Sequence, residues 1–535
     1  MRIGKKAERG MRARGWAGAS LVALLCLGAA PSLAQETLRW PTRWAWGTSS
    51  AFHPLYNPAS YPMSASLALY NGLTRLDASQ GYAPVPDLAE SWTVSEDGLV
   101  YTFKLRPGIT FHDGSPVTAE DVLFTFAVAA DPRHNLNVQA DVAPIASVEA
   151  PDASTIVFTL KYPYGPFLTN VGISIMPKAF VEPQIADGTA LPETPFARAP
   201  VGTGPFKFAE LKPGQELILD ANPDYHLGAP NIDRIVFVVG QDSDSTLVRL
   251  QAGEFDGGLI TPAYHQSLDP AQFAVIAYKS ASASPILLNT RLAPFDDVRV
   301  RKALNHALDK PALAALVNAG LSVDGGSPVP STRWDSTDLS ALAYDLDAMA
   351  TLLTEAGYAR NGSGMWEKDG QPLKIEINDA YGFATIADAV VSQWLDAGIE
   401  ASVKSTSFGE VWPVIDTVPA LTYQFGAPQD PDSVYFLFHS SATIDKGGFN
   451  AGRYANPEVD AALDAGRAAL AFEDRKPFYD TFQAALTADP PYAWAVNAAL
   501  VMAFSTRLSG YSTDITVGSG DEVFWNIQDW TLAAP

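Results

Sequence analysis

The chain has 535 residues, 36 basic against 59 acidic side chains, and a formal net charge of −23. That charge disfavours nucleic acid and anionic membrane surfaces as partners. A chain that is 47% hydrophobic and holds 1 cysteine is neither disordered nor built on disulfides. Its length exceeds one ordinary core and predicts two or three domains.

At the N-terminus, Arg2, Lys5, Lys6, Arg9, Arg12 and Arg14 precede an apolar stretch from Ala17 to Ala30, and Ser32-Leu33-Ala34 follows. This is the pattern of a secretory signal, residues 1–34, cleaved before Gln35, and it predicts a periplasmic protein. The apolar run of about 14 residues is short for a bilayer span. Cys26 lies inside it, and Leu25 stands where a lipoprotein needs a small residue, so the mature chain is expected to carry no thiol. Removing 6 basic residues and 1 acidic residue takes the net charge from −23 to −28.

Further along, residues 99–105 alternate, with Tyr101, Phe103 and Leu105 on one face of a predicted strand. Pro107-Gly108 turns the chain, 109–111 reads as a short second strand, and Asp113-Gly114 turns it again. Thr118 caps a helix with Asp121 in the capping-box position, and Val122, Leu123 and Phe126 form its apolar side. Strands are predicted at 155–160, 234–239, 285–288 and 373–377. Helical periodicity joins Val300, Ala303, Leu304, Ala307 and Leu308, then Leu346, Met349 and Leu353 up to Gly357. It continues with Ile386, Ala389, Val390 and Trp394 up to Gly398. Asn456-Pro457 starts a helix with Val459, Ala462 and Leu463 on one face. Phe478, Phe482, Ala485 and Leu486 form a last stripe before Pro490-Pro491. Helices and strands interleave without a repeat or a flexible linker, so the class is α/β (mixed α+β) with domains joined by strand crossings.

Catalytic patterns are missing. There is no G-x-S-x-G elbow, no H-E-x-x-H and no phosphate-binding P-loop. The 7 histidines are scattered, no pair has zinc-ligand spacing, and His306 falls on the polar face of its helix. Gly202-Thr203-Gly204 runs into Pro205 and reads as a turn. Asp430-Pro431-Asp432 is the one suggestive carboxylate pair; loop capping is favoured over acid–base work. No cofactor and no metal site is expected. Aromatic residues do cluster in Pro- and Gly-rich stretches, first Trp40, Trp44, Trp46, Phe52 and Tyr56, later Trp412, Tyr423, Phe425, Tyr435 and Phe436. Such side chains suit the core, and some suit a pocket for a mixed ligand.

The run from Pro86 through Asp-Leu-Ala-Glu-Ser-Trp to Gly98, continuing through Tyr101-Thr-Phe-Lys-Leu-Arg-Pro-Gly-Ile-Thr-Phe-His-Asp-Gly114 to Val122, resembles the signature of the family 5 extracellular solute-binding proteins. Val201-Gly-Thr-Gly-Pro-Phe206, Asp297-Val-Arg-Val-Arg-Lys-Ala-Leu304, Leu352-Leu-Thr-Glu-Ala-Gly-Tyr358 and Tyr454-Ala-Asn-Pro-Glu-Val-Asp460 carry the same resemblance. It implies a two-lobed periplasmic binding protein fold (class C, type II-like) with a hinge and an extra inserted small domain. The expected partition is 35–60, 200–285 and 500–535 for the first lobe, 61–199 for the insert, and 286–499 for the second lobe. The implied function is capture of a peptide-like or other small polar solute (a peptide, opine or chelate) in the cleft between lobes, for delivery to the membrane permease of an ABC importer. A monomer and no enzyme activity are expected. The alternatives are a periplasmic hydrolase using Asp430 or Asp432, and a ligand sensor that docks a receptor.

In the peptide-binding members an aspartate before an acidic-Pro pair holds the ligand's ammonium; Ala427 stands at that place in Gly426-Ala-Pro-Gln-Asp-Pro431. That stretch is more similar to the nickel-chelate branch, as are Trp40-Pro41 and His53-Pro-Leu-Tyr-Asn-Pro58. By that resemblance Tyr56 and Met63 contact ligand and Phe425 replaces a pocket tryptophan. The branch's arginine against the chelate's carboxylates has no counterpart around Thr169 to Ile175. The expected ligand-binding residues are Tyr56, Met63, Trp412, Phe425, Ala427 and Asp430, with Trp44, Trp46 and Arg453. Arg453 could meet a ligand carboxylate or face solvent.

Overall fold

The computed structural model describes residues 36–42, 55, 63–134, 136, 138–321, 327–329, 332–380, 382–426, 430–497 and 499–534. The alternation at 99–105 forms the strand Val100–Leu105, with Tyr101, Phe103 and Leu105 buried. It lies in a four-stranded antiparallel sheet ordered Ala89–Val94, Val100–Leu105, Thr155–Leu160, Ile145–Asp152. The helix Ala119–Ala130 packs on this sheet; Asp121 accepts the Thr118 N–H at 2.9 Å, and the Phe126 ring meets Phe158 edge-on at 4.8 Å. The strand expected at 109–111 is reduced to a single bridge from Thr110 to Pro116. The Phe111 N–H donates to the Ser115 carbonyl and the Gly114 N–H to the Phe111 carbonyl, so the tight turn at Asp113-Gly114 leaves no length for a longer ladder.

Two of the sequence motifs clasp each other. His112 Nδ1 accepts the Gly202 N–H at 3.1 Å, and Nε2 lies 3.1 Å from the Gly204 carbonyl. These partners assign the neutral tautomer with its proton on Nε2. Burial, the largest cause, pushes the ring's pKa down to about 4. A Cβ at Gly202 would lie 2.0 Å from the Leu69 carbonyl oxygen, and one at Gly204 would lie 2.4 Å from that of Ala68. The glycines of the turn are required by this close approach.

A second four-stranded sheet runs Thr37–Thr42, Arg234–Val239, Glu216–Ala221, Phe206–Lys212. A third runs Gly257–Ile260, Leu500–Ser505, Phe273–Ser280, Thr516–Val517. A six-stranded sheet is ordered Glu400–Ser405, Lys374–Asp379, Ala420–Thr422, Ser282–Leu288, Phe425–Gly426, with Tyr492–Val496 also paired to Ser282–Leu288.

The third and six-stranded sheets share two crossings. Phe273–Ser280 passes through Ala281 into Ser282–Leu288, and Tyr492–Val496 leads into Leu500–Ser505. The two crossing strands are neighbours on both sides, Tyr278 opposite Leu500 and Ser284 opposite Val496. The Ala281 N–H donates to the Val517 carbonyl at 2.8 Å. Fully buried Asn318 holds the second crossing: its Oδ1 accepts the Ala499 N–H at 2.8 Å and its Nδ2 donates to the Asn497 carbonyl at 3.2 Å. Asn318→Ala removes the acceptor of the buried Ala499 N–H, and a loss of about 1–3 kcal/mol is expected. Urea unfolding measures it, and Asn318→Asp, which keeps the acceptor, should lose less.

The hydrophobic cores follow this division. One gathers side chains from Leu38 to Val239 with Phe504, Phe524 and Trp530. Two more lie between Ala283 and Val496, one around Trp394 and one around Tyr479 and Trp494. The expected helices are Val298–His306, Leu346–Glu355, Ala384–Asp396, Pro457–Ala468 and Phe472–Ala488. Asn456 caps its helix by accepting the Glu458 N–H at 2.9 Å. Phe478 is exposed, because the buried row of its helix runs Tyr479, Phe482, Leu486, one position round from the stripe expected. Leu346 is exposed at the first helical position, and Met349 and Leu353 do the packing. His306 is not purely solvated; its Nδ1 lies 2.7 Å from the Ala343 carbonyl. Among the described residues no helix is long and apolar enough to cross a membrane.

Candidate functional site

Phe425 sits on the six-stranded sheet opposite Ala283, buried among Phe438 and Tyr492, each 5.8 Å away between ring centroids. The strand ends at exposed Gly426, and Ala427 lies outside the described residues. The chain returns at Asp430, which caps the turn Pro431–Val434 by accepting the Asp432 N–H at 2.9 Å.

Both carboxylates of Asp430-Pro431-Asp432 are taken by arginine. Arg475 Nη1 and Nη2 donate to the two oxygens of Asp430 at 2.7 Å each. Arg467 Nε and Nη2 donate to Asp432 at 2.7 and 2.9 Å. The arginines come from the helices Pro457–Ala468 and Phe472–Ala488. Aromatic faces back them: the Arg467 guanidinium lies 3.5 Å from the Tyr435 ring centre and that of Arg475 lies 4.9 Å from Trp334. The side chains of Arg475 and Asp430 are only 4% and 11% exposed. Planar bidentate pairing satisfies each carboxylate. The capping role weighed for this stretch accounts for Asp430, which accepts the Asp432 N–H.

Arg453 also meets protein acids, Asp416 and Asp445, the latter at 3.0 Å. It therefore neither stands in solvent nor offers an unpaired guanidinium. Trp412 opens the turn Trp412–Thr417 and stacks on Phe408 at 4.7 Å with 20° between ring planes; Phe449 lies 6.3 Å away. Phe408 and Phe449 are 45% and 50% exposed, so Trp412 belongs to an aromatic surface rather than to the core.

Met63 begins the helix Met63–Leu69, and its N–H donates to Asp521 Oδ2 at 3.2 Å. Asp521 lines a hollow of about 60 Å³ with Trp40, Pro41, Thr42, Leu259, Met502, Ser519 and Gly520. Glu522 fixes that loop by accepting the Gly520 N–H at 2.9 Å. Trp44, Trp46 and Tyr56 lie outside the described residues. Met63 thus borders one surface, Trp412 and Arg453 another, and Phe425 and Asp430 a third. Arg467, Arg475 and Tyr164, whose hydroxyl donates to Asp432 Oδ2 at 3.1 Å, were not found from sequence. They lie far along the chain from their partners, and nothing local marks the pairing.

The chain matches the family model for bacterial extracellular solute-binding proteins, family 5 (middle), over residues 83–446. It belongs to that family. Heme-binding protein A of Haemophilus influenzae is 30% identical over 478 residues, covering 84% of this chain and 85% of the relative. The structure of NikZ from Campylobacter jejuni in complex with Ni(L-His) is 28% identical with a TM-score of 0.78, covering 92% of this chain and 99% of that one. The oligopeptide-binding protein AppA from Bacillus subtilis, in complex with a nonapeptide, is 26% identical with a TM-score of 0.73, covering 94% of this chain and 100% of that one. The fold is therefore the two-lobed binding-protein fold. As a family 5 member the chain is the solute-binding component of an ABC import system, and it belongs to a family of binding proteins, not of enzymes.

Proposed function

We propose that the protein captures a small polar solute, peptide-like or chelate-like, between the lobe 286–499 and the lobe formed by 35–60, 200–285 and 500–535, and delivers it to the membrane subunits of its importer. The segment 61–199 is the inserted domain. The observation that carries this reading is the pair of adjacent crossings, from Phe273–Ser280 into Ser282–Leu288 and from Tyr492–Val496 into Leu500–Ser505, between two separately cored halves, an arrangement that supports rotation without unfolding. A solute that contacts both halves favours the closed form, and closure is the signal a permease can read.

The relatives differ in what their names say they bind: heme, an oligopeptide, and nickel with histidine. The pairing of Asp430 with Arg475 supports a ligand recognised without a free carboxylate from that stretch. Tyr56, Met63, Trp412 and Ala427 are proposed to line the cleft. The hydrolase alternative loses support, because Asp430 and Asp432 are both bound by arginine. Native mass spectrometry of gently purified mature protein should show a bound small molecule, or a mass shift with a dipeptide, a tripeptide or Ni(II) with histidine. No shift with any of these and no retained molecule would overturn the reading.

A further inference from the structure

The inserted segment meets the second lobe along a polar seam. Tyr164 donates its hydroxyl to Asp432 across it, and the Gly165 N–H donates to the Arg467 carbonyl at 2.8 Å. Asn170 Nδ2 donates to the Tyr164 oxygen at 3.2 Å and reaches Asp141 at both its backbone carbonyl, 3.4 Å, and its carboxylate Oδ1, 3.5 Å. Asp141, on the short helix Gln139–Val142, thereby joins the cluster on the inserted side. Among the described residues no arginine or lysine pairs with Asp141, whereas Asp430 and Asp432 each have one.

We propose that this seam is a proton-sensitive latch, in which protonation of Asp141 favours the closed arrangement of the inserted domain against the second lobe. The charged and titratable groups around Asp141 are accounted for. From the second lobe come Asp432 and its partner Arg467. From its own domain come Tyr164 and, beside it on the chain, Lys161, whose ammonium donates to the Ala143 carbonyl. Of the acids on and just after the neighbouring helix Ala119–Ala130, Glu120 pairs with Lys178, Asp121 accepts from Thr118 and Asp131 is held by Arg133. Burial first, and the charge of Asp432 second, raise the Asp141 pKa from its ordinary value of 3.8 to about 6.

The sign follows from those two values. Opening the seam removes the Asp432 charge, one of the two causes of the raised pKa, so that pKa falls from about 6 toward its ordinary value of 3.8. The proton is then held more tightly in the closed form. Its advantage is complete below the open-form value, fades as pH rises toward about 6, and is gone above it.

This inference rests on the partition proposed above but not on the identity of any ligand. The test is small-angle X-ray scattering of the mature chain without added solute, at about pH 5 and about pH 7.5. The wild type should be more compact at the lower pH, with the closed-to-open ratio changing roughly tenfold. Asp141→Asn should be compact at both pH values, because an amide stays neutral. Tyr164→Phe should be more open at both, yet keep the step with pH. A wild type with no step, or a step that survives in Asp141→Asn, would overturn the latch. Bound solute is read separately by mass spectrometry, so failure here is distinguishable from failure of the solute-binding reading.

Discussion

Replacing Arg475 with methionine should lower the unfolding free energy by about 3–5 kcal/mol, because it leaves the Asp430 carboxylate buried without its counter-charge. The guanidinium also donates through Nε to the Gly466 carbonyl at 3.0 Å, which would lose that donor. The double variant Arg475→Met with Asp430→Asn should recover a good part of the loss, since the uncompensated charge is then gone. Urea denaturation of the four proteins gives the coupling directly. A single-variant loss below about 1 kcal/mol would mean that water reaches the pair and that it behaves as a surface bridge. The functional consequence is specific: Asp430→Asn should reduce stability more than solute affinity, because both oxygens of its carboxylate are taken by Arg475.

Gly165→Ala is expected to hold the seam open. A Cβ at this position would stand 2.1 Å from the Ala469 carbonyl oxygen and 2.8 Å from Arg475 Nε. The first of these is backbone, which cannot swing aside as a side chain can. The least costly response is to separate the inserted domain from the second lobe, breaking the Gly165 to Arg467 hydrogen bond. Scattering should therefore report a larger radius of gyration, and affinity for whatever solute co-purifies should fall by about tenfold or more, about 1.4 kcal/mol. The melting temperature should change little, because Trp394, Phe158 and the other core side chains are untouched. An unchanged scattering profile with unchanged affinity would show that the contact at Gly165 is not part of closure.

Local features of the chain were read well from sequence because their causes are local. The capping pair Thr118 and Asp121, the Asn456-Pro457 start and the alternation of Tyr101, Phe103 and Leu105 depend only on neighbours a few residues away. Where the reading slipped, the deciding partner was tertiary. Phe478 lost its place to Tyr479 because the core around Tyr479 and Trp494 fixes which face of that helix turns inward. The expected strand at 109–111 was cut to one bridge by the tight turn that follows it.

The candidate site shows the same boundary more sharply. Residue type marked Asp430 and Arg453 as charges worth watching, but a charge acquires its role only from its partner. Arg475 is 45 residues from Asp430, and Tyr164 is 268 residues from Asp432. No periodicity carries information over such separations. Membership of the family 5 solute-binding proteins was legible in the sequence, since its motifs are contiguous, and the Phe-His-Asp-Gly and Gly-Thr-Gly runs pack together: His112 clasps Gly202 and Gly204 where no Cβ fits. Only the tertiary structure decided which acids are paired with arginine, and that two adjacent strands carry the chain from one sheet to the next.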